Sequence, residues 1–310
     1  MSEQDRFLTL ANLLPTWRDD VLSGHRPTLY PVGDGFERIE IGPGLVTLLG
    51  GAPGQGKTAL TMQWVLDALA SSPSLRALVC NVEMTPTVLM ERQLARLADL
   101  DGRLIRHRRF GEQDRDALER GFSRLQDVAD RLAFVEPPFT LDNVASAADA
   151  FEAELIVLDY IQRIGSTGSK GDRRGMMDAV MSTIRQFADA GVAVLVIAAL
   201  ARSKDGKGRS SYASENLSLA SFRETSEIEY GADDAYILAN GDDDRVLLRH
   251  LKSRHGETQD VELHFDRSRQ RFTPIEPSVP DPPPERTKRK GKPSRAELQS
   301  LWDSEGSDRP

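Results

Sequence analysis

The sequence predicts an α/β fold, a mostly parallel central sheet flanked by helices and followed by a C-terminal β-hairpin. Three observations predict it. The apolar run Leu45–Leu49 leads into Gly51-Ala52-Pro53-Gly54-Gln55-Gly56-Lys57-Thr58, and a helical pattern follows. Strand, glycine-rich loop and helix thus stand in the order that the spacing G-x-x-x-x-G-K-T requires. The runs Leu155–Leu158 and Val192–Ala198 are continuously apolar rather than alternating, as strands buried on both faces are. Between such runs lie stretches with apolar residues at helical spacing.

The glycine-rich loop is a nucleotide-binding P-loop. Gly51, Gly54 and Gly56 let the backbone turn successive N–H groups toward a β-phosphate, and the N-terminus of the following helix adds partial positive charge. Ala52, Pro53, Gln55 and Ala59 complete the cradle around a bound ATP, Lys57 reaches its β- and γ-phosphates, and the Thr58 hydroxyl is a ligand for Mg2+. The helix is expected from Thr58 to about Ala70, with Leu60, Trp64, Val65 and Leu69 facing the sheet.

Composition limits the remaining possibilities. The chain has 310 residues of which 39% are apolar, enough for a sizeable core. Its formal net charge of -8 and pI near 5.3 set it apart from nucleic-acid binders that are basic throughout. Any DNA contact must come from local patches or from a channel formed on assembly. Cys80 is the single cysteine and sits in an apolar run, which leaves no disulfide framework or cysteine metal cluster and suits a reducing, cytoplasmic setting. Met1–Arg6 is polar where a signal peptide would be basic and then apolar, and no run reaches 18 apolar residues, so the expectation is a soluble, unexported protein with no membrane contact.

Along the chain, residues 1–30 are a lead-in with a short helix around Phe7–Leu14. After the P-loop helix comes a strand, Leu78–Val82, then Glu83. Thr85 as N-cap with Pro86 at the first helical position opens a helix to about Asp99. Glu83 therefore sits at the tip of a buried strand on the edge where ligands of open α/β sheets bind. By position alone it is either a solvated strand-end carboxylate or a base for a water attacking a γ-phosphate. The basic segment Arg103–Arg109 is a phosphate contact or, more in keeping with its position, a solvated face. A helix near Gln113–Ala129, a strand Leu132–Val135 and a helix Thr140–Ala153 follow. Leu155–Leu158 then closes on Asp159, the shape of a Walker B strand whose carboxylate completes the magnesium site.

A glycine-rich basic loop, 164–175, precedes a helix from about Met176 to Ala190. The polar stretch Arg202–Ser211 after the strand Val192–Ala198 is expected to be unpacked and mobile. Both loops leave neighbouring strands at one edge and are candidate DNA-contacting elements, or simply solvated ones. Ser221-Phe222-Arg223-Glu224 fits a capping box, predicting a short helix that stops near Gly231. A strand Ala235–Leu238 follows, and Arg245–Lys252 with Asp260–Asp266 reads as a hairpin turning at His255-Gly256. From residue 274 the chain becomes proline-rich and then basic, through Arg286, Lys288, Arg289, Lys290, Lys292 and Arg295, as a disordered linker and tail would be. The tail either holds a partner weakly or is only solvated.

Taken in order, these motifs match one family. The chain resembles the C-terminal motor domain of DnaB-like replicative helicases, members of the RecA-like hexameric ATPases, over residues 30–273. The resemblance rests on the P-loop, Asn81-Val82-Glu83-Met84, Leu158-Asp159-Tyr160-Ile161-Gln162, Phe222–Asp233 and Lys252-Ser253-Arg254-His255-Gly256. It implies a RecA-like ATPase core over 31–273 that uses ATP and Mg2+ and assembles as a homo-oligomer, a hexameric ring holding single-stranded DNA in its pore. Glu83 would be the catalytic base and Asp159 the Walker B carboxylate. Arg223, Glu224 and Ser226 would form the loop that holds DNA phosphates, and Arg202 matches the arginine closing the family's third motif. Lys252 and Arg254 would reach into the neighbouring subunit's ATP.

Two departures stand out. The glutamine of the family's third motif aligns with Ala199, and the DNA loop carries Ser226 where a glycine is usual. Residues 1–30 are too short for the helical N-terminal domain of these helicases, which reads as a stand-alone motor. The leading expectation is an ATP-dependent DNA helicase or translocase. The alternatives are a recombination or repair ATPase that does not unwind processively, and a nucleotide-gated oligomeric scaffold protein.

Overall fold

A computed structural model describes residues 7–164, 173–200, 203–204, 210–211, 218–222, 231–241 and 245–275. The described residues belong to one compact unit, and residues 276–310, which hold the expected linker and tail, lie outside them.

The strands are β1 (Val46–Gly51), β2 (Ala77–Asn81), β3 (Leu132–Phe134), β4 (Leu155–Asp159), β5 (Ala193–Ala199), β6 (Ser203–Lys204), β7 (Ser210–Ser211), β8 (Asp234–Asn240), β9 (Arg245–Ser253), β10 (Val261–Asp266) and β11 (Arg271–Pro274). The helices are α1 (Leu10–Ser23), α2 (Lys57–Ser71), α3 (Pro86–Ala98), α4 (Gly102–Arg106), α5 (Arg115–Gln126), α6 (Leu141–Phe151) and α7 (Arg173–Asp189). One sheet of nine strands runs β11-β10-β9-β8-β1-β5-β4-β2-β3. From β8 to β3 every pairing is parallel, while β9, β10 and β11 extend the sheet antiparallel.

Both faces of the parallel part are covered, which explains its unbroken apolar runs. Successive side chains of a strand point to opposite faces, so Leu49, Val79, Val157 and Leu195 enter the layer under α2 with Leu60, Trp64 and Leu69. Their neighbours Leu48, Leu78, Ile156 and Val196 enter the layer under α6 and α7 with Val144, Val180 and Ile184. Cys80 is buried there as well, and burial pushes its thiol up to about 12, so it is packing rather than chemistry.

Several elements differ from their sequence-based expectation. The N-terminal helix is longer than Phe7–Leu14, because Thr9 caps it by accepting the Asn12 N–H (3.3 Å) and Gly24, in the left-handed region, ends it. None of its residues is buried, and Leu10, Leu13, Leu14, Trp17, Val21 and Leu22 are exposed. The helix expected over Gln113–Ala129 is shorter, a 3-10 turn at Glu112–Asp114 followed by α5. The body of the helix expected from Ser221 to near Gly231, residues 223–230, lies outside the described residues, and Gly231 is helical. Leu219–Ser221 is a 3-10 turn in which Ser221 Oγ accepts the Ser218 N–H (3.0 Å), and Phe222 is extended and bridges Leu200. The ends of the stretch expected to be unpacked, Arg202–Ser211, pair as a ribbon, Ser203 with Ser211 and Lys204 with Ser210.

The hairpin gains a third strand, β11, which the sequence does not announce. Phe272 stacks on Phe265 with ring centroids 4.0 Å apart, and the Gln63 amide of α2 bonds both the N–H and the C=O of Phe272 at 2.9 Å. Among the described residues no helix is long and apolar enough to cross a membrane.

Candidate active site

The parallel strands deliver their C-terminal ends to one edge, and the chemistry gathers there. Gly51 ends β1, Asn81 ends β2 opposite Asp159 at the end of β4, and Ala199 ends β5 opposite Gly51. The loop between β1 and α2 needs glycine for two different reasons. Gly54 has φ 80° with open space around its missing Cβ, whereas Gly56 combines φ 90° with Phe265 and Phe272 ring carbons 2.8 Å from where a Cβ would sit.

A cleft of about 610 Å3 opens at this edge, lined by the P-loop together with Glu83, Asp159 and Ala199. Lys57 Nζ lies within it, donating to Gly51 O (2.8 Å) and Ala52 O (3.1 Å). Burial lowers its pKa, while Asp159 and Glu83 act in the opposite sense. The Thr58 hydroxyl donates to Asp159 Oδ2 (2.7 Å), and Asn81 Nδ2 donates to the same oxygen (2.6 Å). Burial raises Asp159 to about 6; the Thr58 bond and Lys57 oppose that rise and Glu83 adds to it.

Glu83 is half exposed at the mouth, its Oε1 3.9 Å from Arg163 Nη1. Asn81 Oδ1 fixes the turn that presents it by accepting the N–H groups of Glu83 (3.0 Å) and Met84 (2.8 Å). Thr85 and Pro86 then open α3 as the sequence predicts.

These groups fit a nucleoside triphosphate with a divalent cation. The left-handed glycines shape a backbone cradle, Lys57 supplies a cation inside it, and Thr58 and Asp159 bring two hard oxygen donors to one point. Asp159 is a buried carboxylate whose charged form the surrounding protein disfavours, so a cation beside it would offset that burial.

The other expected residues lie elsewhere. Lys252 and Arg254 follow β9 to the opposite edge of the sheet, where Lys252 Nζ donates to Ala232 O (2.7 Å) and Arg254 Nη1 pairs with Asp233 Oδ1 (2.7 Å). Asp234 pairs with Thr47 and Leu238 with Gly51, which puts Arg254 beside the start of β1, about 16 Å along the strand from the P-loop. Arg202, Arg223, Glu224 and Ser226 lie outside the described residues, as does most of the basic loop 164–175. The segment Arg103–Arg109 is largely ion-paired, Arg103 with Asp101 and both Arg106 and Arg108 with Glu91.

Three residues of the cleft escape sequence reasoning. Arg92 reaches it from α3, with a guanidinium pKa lowered by burial and by Arg106. Arg267 lies over the Phe265 ring at 4.9 Å and donates to Gly54 O (3.1 Å), with Gln270 beside it in the lining. Arg92 carries a faint sequence signal, lying on the helix that starts directly after Glu83. Arg267 and Gln270 carry none, because the β10–β11 turn meets the P-loop only through tertiary packing. At the aligned glutamine position, Ala199 lines the cleft while the Gln162 amide bonds its N–H (3.1 Å) and C=O (3.2 Å).

The family model of the DnaB-like helicase C terminal domain matches residues 39–274. The chain belongs to the DnaB-like helicase C-terminal domain family. Among curated proteins it is similar to a replicative DNA helicase DnaB from Nostoc sp., with 25% identity over 182 residues, covering 56% of this chain and 20% of that protein. The chain thus spans about a fifth of the length of the curated relative it matches. Among solved structures, one ATPase domain superposes with a TM-score of 0.74 at 17% identity, over 86% of this chain and 99% of that one. A DnaB-like replicative helicase, solved in a study of its interactions with primase, gives a TM-score of 0.73 at 16% identity, over 89% of this chain and 69% of that one. At these identities the superpositions establish the fold alone, an α/β core shared with these ATPase and helicase domains.

Proposed function

We propose that the protein is an ATP-hydrolysing DNA helicase or translocase motor that works as a ring-shaped homo-oligomer, a hexamer by analogy with its family, with single-stranded DNA in the pore. The observation that carries this reading is the separation of the two halves of the site. Lys57, Thr58, Glu83 and Asp159 converge on one cleft, while Lys252 and Arg254 stand at the far edge of the same sheet. An arginine there cannot serve its own chain's phosphates, but it can serve those of a neighbour in a head-to-tail ring. The exposed apolar side chains of α1 support assembly, as such patches mark interaction surfaces.

In this reading Thr58 and Asp159 hold Mg2+, which would neutralise charge on the phosphates. Lys57 binds the β- and γ-phosphates, and the P-loop amides orient them. Glu83 orients a water in line with the γ-phosphate and accepts its proton. Arg254 and Lys252 of the adjoining subunit stabilise the charge spreading over the transferred group. Arg223, Glu224, Ser226 and Arg202 are assigned to DNA, and the basic tail to a protein partner.

The test is steady-state ATP hydrolysis with and without single-stranded DNA, on wild type and Arg254→Ala, with oligomer mass measured in the same buffer. Stimulation by DNA that disappears in the variant while the oligomer persists is the expected result. Hydrolysis indifferent to both DNA and Arg254 would overturn the motor reading and favour a nucleotide-gated scaffold.

A further inference from the structure

Asp233, at the base of β8, is 2% exposed and gathers more partners than a charge-balancing carboxylate needs. Its Oδ2 accepts the Val46 N–H (2.8 Å) and Arg185 Nη1 (2.8 Å), and its Oδ1 pairs with Arg254 Nη1 (2.7 Å). Its backbone acts on the same groups. The Asp233 N–H donates to Val46 O (2.8 Å), and Asp233 O accepts the Arg254 N–H (2.9 Å). Arg254 is thereby held by main chain and side chain at once, with 45% of its side chain exposed. Arg185 is braced in turn by Gly44 O (3.3 Å) and Asp189 (3.2 Å).

We propose that Asp233 is the positioning residue for Arg254, fixing the direction in which that guanidinium is offered to the nucleotide of the adjoining subunit. The inference rests on the reading of Arg254 given above. Two guanidinium groups, Arg185 and Arg254, share one buried carboxylate, whose negative charge offsets their mutual repulsion. With the charge removed they repel, and the more exposed Arg254 swings away. An arginine already aimed requires no reorganisation when charge develops on the γ-phosphate, and that preorganisation is what raises a rate. The carboxylate is itself anchored to Val46, the first residue of the strand that ends in the P-loop, so the aim of Arg254 is referred to the rigid sheet.

The test is a double-mutant cycle on the full chain, with kcat and KM for ATP measured beside oligomer mass and melting temperature. Asp233→Asn keeps an acceptor for the Val46 N–H and removes the charge. The expected result is at least a tenfold loss of kcat, KM within twofold of wild type, an unchanged oligomer, and no further loss when Asp233→Asn is added to Arg254→Ala. A structural role would instead lower kcat multiplicatively in the double variant. Losses that multiply, or a wild-type kcat in Asp233→Asn while Arg254→Ala is impaired, overturn this inference alone. A wild-type kcat in Arg254→Ala overturns the reading of Arg254 and this inference with it. Asp233→Ser serves if the asparagine variant does not fold; if neither folds, Asp233 is a structural residue and the proposal fails.

Discussion

Asp159 and Glu83 lie at the end of neighbouring strands and answer to different forces. Asp159 titrates near 6 in the folded chain against an ordinary 3.8, because burial disfavours its charge. The folded state therefore holds an extra proton between these values, and the contribution of this group to stability falls as pH rises through that window. Without divalent cation, Asp159→Asn should stabilise the protein by about 3 kcal/mol at pH 7.5 and by about half a kcal/mol at pH 4, read from thermal melts in chelator. A gain of equal size at both pH values would assign the effect to packing. Mg2+ with nucleotide should reverse the order, raising the melting temperature of wild type more than that of the variant, since a metal ligand must be deprotonated. Glu83 faces solvent at the mouth of the cleft, and under the proposed function it accepts the proton of the attacking water. Glu83→Gln should lower ATP turnover by about a hundredfold or more, the size of a general-base contribution, with nucleotide affinity retained in an equilibrium titration. Hydrolysis at the wild-type rate in that variant would show that another group orients the water.

At the scale of elements, the P-loop is held from below as well as shaped from within. Phe265 of β10 and Phe272 of β11 press against Gly56, and Gln63 of α2 ties the Phe272 backbone to the helix that the loop precedes. This arrangement separates the two glycines experimentally. Gly54→Ala meets open space and should cost about 1–2 kcal/mol from left-handed strain alone. Gly56→Ala adds a clash with two aromatic rings, so it should cost more than Gly54→Ala in urea unfolding and also weaken nucleotide binding. Equal costs would mean that the ring pair moves aside. The same packing accounts for β11, four residues with a terminal proline, too short and too mixed in pattern to read as a strand but sufficient once Phe272 has a ring to stack on.

For the whole molecule, the parallel sheet sends the P-loop to one edge and Arg254 to the other, and a complete site requires two chains under the proposed function. Mixing two inactive variants is a direct check. Lys57→Ala lacks the cleft lysine and Arg254→Ala lacks the far-edge arginine, but a mixed assembly contains interfaces where Lys57 of one chain meets Arg254 of the next. Mixing should restore a measurable fraction of wild-type ATP turnover, up to about a quarter of interfaces in a random ring, while each variant alone stays inactive. A mixture as inactive as its components would place both residues in service of one chain.

The sequence by itself determined the parts whose signal is local. The P-loop spacing, the Thr85-Pro86 helix start and the apolar run closing on Asp159 all reappear as β1 with its loop, α3 and β4, because glycine geometry, capping and two-sided burial are written within a few residues. Tertiary contact set other positions: Phe222 is drawn into an extended bridge with Leu200, and its ring packs against Gly50. Only the tertiary structure decided that Arg92, Arg267 and Gln270 line the cleft, and that Asp233 gathers Val46, Arg185 and Arg254. Residues 46, 185, 233 and 254 are remote in the chain and adjacent in space because neighbouring strands of the sheet begin or end at one edge, with α7 crossing behind them. No periodicity or motif within one stretch can encode such a meeting, since it depends on strand order and register.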